Sequence, residues 1–478
     1  MKYDVVLYNS TKQFGYRIGE HLGLAYISAS LRKVGYKVKI VDSLLECISP
    51  KEAVDSISKL DFKIIGVSFL SYSWLETKQF IEGIRKIKSD IVIVVGGHFA
   101  SFNYKELLRD IPEIDYVSVG EGEESFRLLV DAILNKNDVN DIPGLYSRSI
   151  FNSTVKPISD LDSLPFPSRD YLPFVLKNSG IAALNTSRGC YGVCTFCSVQ
   201  NFYNRFADKK WRGRSVYNII EEIQYLMKDY QATYFDFQDD NFMGPGFKGK
   251  ERANKLALEI IKKKIKARFK FDLRVNDIDY DTLKLWKEAG LTYVLIGIES
   301  IVERDLSFYN KKITTTQIKN SIKILEDLGI SYRLGTLFFN PYTLVEDVHD
   351  NLGFLNEINY YDPNMLSILN VYNGTKACDI LREDGILEGC YYNYTWKFVN
   401  HNTEKFFDIC KKNIKKSLIV RRYLNEHYHN FKYDGVFDRI NQNFVYKLSS
   451  KFIKNEKYDS ILLEFDERLN NVLKQFEE

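Results

Sequence analysis

The chain has 478 residues, too many for one ordinary core, so two or three domains are expected. Its 66 basic and 63 acidic side chains leave a net charge of +3, which gives no support to a nucleic-acid or membrane-surface partner. Apolar runs such as 91–95 and 293–298 are strand-sized, far short of the roughly 20 residues that a membrane helix needs.

The opening Met1-Lys2-Tyr3-Asp4 runs straight into a strand-like segment with no signal-peptide pattern, so the chain reads as cytoplasmic. From there, strand and helix signals alternate. Val5-Val6-Leu7-Tyr8 is a short apolar run, helical periodicity covers 23–33 and stops at Gly35, and a strand is expected at 37–41. A helix around 50–59, a strand at 64–69, a helix at 76–87 and strands at 91–95 and 116–119 follow. This alternation implies right-handed crossovers and a parallel, doubly wound (Rossmann-like) domain over 1–140, with its ligand beyond the carboxyl ends of the strands.

A connection over 141–180 is punctuated by Ile142-Pro143-Gly144 and Leu164-Pro165-Phe166-Pro167. A second alternating region, 181–385, offers strands at 183–186, 234–238, 269–274, 293–297, 332–339 and 367–371, the pattern of a partial parallel (β/α)6 barrel. Over 386–478 the composition shifts to Tyr, Phe, Lys and Asn with helical periodicity, expected to cap the barrel. The aromatic residues there read as ordinary core rather than substrate contacts.

Seven cysteines, three of them within eight residues, suit a metal site better than a disulfide framework. Cys190, Cys194 and Cys197 stand on one loop after the first barrel strand, with spacing C-x3-C-x2-C. Soft thiolates favour zinc, copper(I) or iron–sulfur, and a structural zinc site wants four closed ligands. A 4Fe-4S cluster takes one cysteine per iron, so three cysteines leave one iron open to a further ligand. Cys47, Cys378, Cys390 and Cys410 are scattered singly and signal no fourth ligand.

The Ser187-Arg188-Gly189-Cys190 to Cys197 loop resembles that of the radical S-adenosylmethionine superfamily, over most of 181–385. The resemblance implies a 4Fe-4S cluster whose open iron chelates S-adenosylmethionine and whose reduced form cleaves it to a 5′-deoxyadenosyl radical. Phe235-Asp236-Phe237-Gln238-Asp239-Asp240-Asn241-Phe242 is similar to the D-D-N-F segment of the cobalamin-coupled subgroup. Asp239 or Asp240 would then meet the methionine ammonium, the alternative being that they cap the following segment. Ile296-Gly297-Ile298-Glu299-Ser300 resembles the G-x-E-S segment, which assigns Glu299 to the ribose hydroxyls. Lys311 would face the methionine carboxylate, the alternative being a solvated loop lysine, and Arg274 points the same way.

In the first domain, the small-residue turns around Ser68, Leu70 and Ser71, around Gly96, Gly97 and His98, and around Gly120 and Glu121 look like a cobalamin-binding domain. No G-x-G-x-x-G follows the first strand, which argues against a dinucleotide. The D-x-H-x-x-G signature of an axial histidine is also absent, leaving His98 as either a cobalt ligand or a wall of the pocket, with His21 similarly open. The domain is alternatively a vestige without cobalamin. With cobalamin, the resemblance implies methyl transfer to an unreactive carbon or phosphorus of a small-molecule or natural-product substrate. Electrons would come from an external donor such as flavodoxin or ferredoxin. Radical rearrangement, cyclisation or oxidation is the second reading, and a non-catalytic corrinoid or metal-binding protein the third.

Overall fold

A computed structural model describes residues 2–10, 19–152, 154–155, 157–207, 209–427 and 435–477. Six short strands make the first sheet: β1 (Val5–Asn9), β2 (Val38–Asp42), β3 (Ile64–Ser68), β4 (Val92–Gly96), β5 (Tyr116–Ser118) and β6 (Leu145–Tyr146). Their order is β2-β1-β3-β4-β5-β6, all parallel except the last pair. The strands are near-continuously apolar because both faces are covered: Val5 and Leu7 enter one core while Val6 and Tyr8 enter the other. The order reverses direction between β1 and β3, and a ligand cleft belongs at such a switch point. The helix Leu22–Lys33 starts beside that point, where His21 accepts the Leu24 N–H through Nδ1 at 3.1 Å.

The second region builds β7 (Ala182–Leu184), a small antiparallel pair of β8 (Ser187–Gly189) and β9 (Trp211–Gly213), then β10 (Tyr234–Phe237), β11 (Arg268–Arg274), β12 (Leu291–Glu299) and β13 (Ser331–Thr336). The parallel sheet runs β13-β12-β11-β10-β7. Alternation along it is clean. Phe269, Phe271 and Leu273 of β11 and Val294, Ile296 and Ile298 of β12 join the core under the surrounding helices, while the intervening residues face the lumen.

One expectation is corrected and another is completed. The strand expected at 367–371 is reduced to a single bridge between Phe339 and Ile368. There the Ser367 hydroxyl accepts the Phe338 N–H (3.2 Å) and donates to the Thr336 carbonyl (2.9 Å), taking the place of ladder bonds. The region after Gly385, expected to be mainly helical, is so in the helices His401–His427, Val436–Ile453 and Asp459–Glu477, and what the expectation lacked is the hairpin of β14 (Leu387–Cys390) and β15 (Asn393–Trp396) that precedes them. Among the described residues, no helix is long and apolar enough to cross a membrane.

Candidate active site

The loop that carries the three cysteines is held from below by the residues that end β10. Asp239 accepts the Thr186 N–H at 2.6 Å, the Ser187 N–H at 3.0 Å and the Thr186 hydroxyl, so both its oxygens are spent on the loop. Asp240 accepts the Gly189 N–H at 2.9 Å. Asn241 bonds Asp277 at 2.7 Å, and its carbonyl takes the Ser187 hydroxyl and the Trp211 indole N–H. Gly189 has φ +88, and a side chain there would start 2.0 Å from the Lys210 carbonyl, so only glycine fits just before Cys190. Further on, Thr195 bonds the Tyr309 and Phe308 carbonyls, and Asn310 bonds that of Val193.

Cys190 and Cys194 are buried, and Cys197 is half-buried. Arg274 Nη1 lies 3.2 Å from the Cys194 sulfur and its Nη2 donates to the Lys311 carbonyl at 2.8 Å, while Gly192 N–H points at Cys190 Sγ at 3.3 Å. Burial pushes the Cys190 thiol up and that of Cys197 to about 11. A cluster fits such a loop because it takes thiolates, displacing these protons with a compensating cationic core. Among the described residues, no three His, Cys, Asp or Glu side chains are drawn tightly enough to grip a single ion, which three thiolates on separate irons need not be.

At the end of β12, Glu299 adopts φ +62 and pairs with Lys311 at 2.6 Å. Lys311 is only 4% exposed, so it is not a solvated loop lysine. A side chain on Gly297 would start 2.8 Å from Glu299 Oε1 and 2.9 Å from Lys311 Nζ, so glycine makes the room for this pair. Glu299, Lys311 and Arg274 thus gather beside the cysteine loop, linked through the Lys311 carbonyl. Among the described residues, the buried Arg274 Nε–H has no hydrogen-bond partner.

A cavity of about 1080 Å³, counted to its open mouth, lies where the carboxyl ends of β3, β4 and β5 meet the barrel. Ser68, Gly96, Gly97, His98, Gly120 and Glu121 line it. Leu70 and Ser71, expected there, do not: the chain turns at Ser71–Ser73 into the helix Trp74–Ile87, and Leu70 is 43% exposed outside the cavity. Glycine turns at the ends of β4 and β5 and an apolar floor suit a large planar ligand such as cobalamin.

The far wall comes from the barrel, and sequence reasoning missed it. Asn185, Arg188, Phe202, Tyr203 and Gln238 line the same cavity, together with Asp240. Arg188 binds Glu121 at 2.9 Å and also Glu123, and lies 5.1 Å from the Tyr26 ring. Burial would raise the Glu121 carboxyl, but Arg212 and Arg188 bring it down to about 2. His98 stacks on Phe202 with 4.0 Å between ring centres, and burial lowers it to about 4. His21 has both ring nitrogens engaged, one by Leu24 N–H and one by the Ser68 hydroxyl at 3.0 Å. The sequence signal for the far wall was the Arg188 that precedes Gly189-Cys190, since it belongs at once to the cysteine loop and the cavity.

Two family models match the chain: the B12 binding domain over residues 16–130 and the Radical SAM superfamily over residues 184–355. The chain is 31% identical over 377 residues to the uncharacterized methyltransferase PH0819 of Pyrococcus horikoshii, covering 77% of this chain and 80% of that one. It is 28% identical over 325 residues to the anaerobic magnesium-protoporphyrin IX monomethyl ester cyclase of Rubrivivax gelatinosus, 64% of this chain and 56% of that one. This chain therefore spans a little over half of that cyclase. The fold is that of the cobalamin-dependent S-adenosylmethionine radical enzyme OxsB with aqua-cobalamin bound, at a TM-score of 0.82 and 17% identity, covering 99% of this chain and 81% of the other.

Proposed function

The chain belongs to the radical S-adenosylmethionine superfamily, in the group whose barrel follows a B12-binding domain, and from that premise we propose that it methylates an unreactive carbon or phosphorus of a small molecule. It is an enzyme whose cofactors are a 4Fe-4S cluster, S-adenosylmethionine and cobalamin. Together these supply a 5′-deoxyadenosyl radical and a transferable methyl group when bound.

The observation that carries methyl transfer is the shared cavity: its walls are Gly97 and Gly120 on one side and Asn185, Arg188 and Asp240 of the cysteine loop's own scaffold on the other. In this reading Cys190, Cys194 and Cys197 hold the cluster. Asp240, Arg274, Glu299 and Lys311 hold S-adenosylmethionine, and Asp239 acts through the loop it braces. Ser68, Gly96, Gly97, His98, Gly120 and Glu121 hold cobalamin, with His98 as a wall stacked on Phe202 rather than a metal ligand. Residues 1–140, 141–180, 181–385 and 386–478 serve as corrin domain, linker, barrel and cap. An external flavodoxin or ferredoxin supplies electrons, and the seven free cysteines suit a reducing cytoplasm. The cyclase relative supports a second reading, radical ring formation or oxidation without methyl transfer.

The test is to purify without oxygen, reconstitute iron and sulfide, add hydroxocobalamin and record the visible spectrum before and after desalting. Corrin bands that persist beside the cluster absorption support methylation. A cluster whose corrin washes away while S-adenosylmethionine is still cleaved removes the methyl-transfer reading and leaves the second.

A further inference from the structure

Below the cluster, the barrel lumen is lined in rungs fixed by strand register. Asp236, Lys270 and Tyr293 stand side by side on β10, β11 and β12. The next rung up is Asp272, Leu295 and Arg333, and the one above it is Arg274, Gly297 and Gly335. That upper rung is the level of the Glu299–Lys311 pair and of the arginine on Cys194. Over Gly297 the space is taken by Glu299 and Lys311, while Gly335 leaves room on the wall of the lumen. A cavity of about 910 Å³, counted to its open mouth, occupies the lumen, with Tyr234, Lys270, Tyr293, Arg333 and Asn364 on its wall.

The charges in this cavity are not all matched. Lys270 pairs with Asp236 at 2.9 Å. Asp362, near Arg333, spends its oxygens on the Thr336 hydroxyl at 2.6 Å and the Asn364 N–H at 2.7 Å. Asp272 shares the rung of Arg333 but lies two strands away, about 10 Å at strand spacing. Arg333 is accessible and makes no ion pair among the described residues, unlike Arg169, Arg188, Arg212 and Arg214 elsewhere in the chain. Arg333 feels the charge of Asp362 but touches no carboxylate among the described residues, and a guanidinium whose fork is left open beside neutral donors is a receptor for an oxyanion.

We propose that the substrate is a small anion whose phosphate or carboxylate group is held by Arg333, about 7 Å below Gly335, beside which its reacting carbon lies. The inference rests on the lumen being the substrate site of the enzyme described above, and it narrows the substrate to acids and phosphate esters. An uncharged lipid or a free base does not satisfy Arg333.

The experiment is a calorimetric titration of the reconstituted holoenzyme with inorganic phosphate and, separately, acetate. It is repeated with Arg333→Gln, Arg333→Lys and Arg109→Gln, the last an exposed arginine paired with Asp110 at 2.6 Å. Saturable binding of one anion is expected to weaken at least tenfold in R333Q and to persist in R333K and R109Q. Preference for phosphate assigns a phosphate ester, and preference for acetate a carboxylic acid. If neither anion saturates, or R333Q binds as the unaltered protein does, the proposal is overturned. The titration uses resting enzyme, so its failure leaves the cleavage and corrin assays untouched, and failure of those leaves the anion site standing as a measured fact.

Discussion

Cys194 takes a hydrogen bond from Arg274 and sits on a loop that the Asp239, Asp240 and Asn310 side chains and the Asn241, Phe308 and Tyr309 carbonyls hold in place, so its loss removes a ligand without dissolving the loop. Cys194→Ala is expected to abolish the cluster absorbance and all cleavage of S-adenosylmethionine while the far-ultraviolet circular dichroism stays native. Retained cleavage sinks the assignment. Lys311 makes a different kind of contribution. Lys311→Met leaves the Glu299 carboxylate buried beside Gly297 without its cation, a cost of about 3 kcal/mol in denaturant unfolding of the apoprotein. Adding Glu299→Gln should restore most of that, because the buried charge is then gone, and additive losses in the double variant would show that the pair is not coupled. His98 gives the pH dependence. Burial holds it at about 4 against an ordinary 6.5, so the unfolded chain takes up the proton first. Apoprotein stability is therefore full above pH 6.5 and falls as pH drops towards 4, by at most about 3 kcal/mol. His98→Phe should flatten that part of the curve, and an unchanged slope would assign it to other groups.

Elements built from local signals were legible in the sequence, while those defined by partners were not. Ser49, Pro50 and Glu52 form the capping box and first turn that open the helix Pro50–Ile57, and each is readable from spacing alone. The cysteine loop was legible for the same reason. Leu70 and Ser71 looked like cavity residues because a turn follows β3, yet which way that turn faces depends on the helix packed after it. The β14–β15 hairpin is masked in the sequence by the helical periodicity of the longer region that it opens, although Tyr392, Tyr394 and Trp396 recur every two residues as a strand requires. Its tip instead docks on the first domain: Trp74 stacks on Tyr392 at 4.0 Å and donates its indole N–H to the Tyr391 hydroxyl at 3.0 Å. Tyr391→Phe should cost about 1 kcal/mol for the lost hydrogen bond, and Tyr391→Ala about 3 kcal/mol. Faster amide exchange should appear over 387–396 and around Trp74 together. Exchange confined to the hairpin would mean that the tip is not what binds it.

Across the whole molecule, the two sheets meet through buried and half-buried arginines, most of whose carboxylate partners lie far away in the chain. Arg188 and Arg212 reach Glu121, while Arg169 joins Glu20 of the first domain to Glu222 of the barrel, which Arg214 also holds. No spacing rule finds such partners, so of the barrel side of the cavity only Arg188, next to the cysteine loop, left a signal in the sequence. Desolvation offsets most of the attraction in pairs of this kind, so their main effect is to fix one arrangement of the two domains rather than to add net stability. Arg188 is the member through which that arrangement touches both cofactor sites, since it follows the Asp239-braced corner, precedes Cys190 and lines the cavity. Arg188→Met keeps the length of the side chain and removes its charge, leaving Glu123 without its partner and Glu121 with Arg212 alone. Iron content should stay near that of the unaltered protein, because the three thiols and Arg274 are untouched. Corrin should wash out on desalting, and amide exchange should quicken on both sides of the cavity, at 121–123 and 187–189. If corrin is retained and exchange is unchanged, the glycine turns alone hold the ring and the arginine bridge is dispensable. If iron is lost as well, the bridge supports the cysteine loop itself, and the two cofactor sites share one foundation instead of two joined ones.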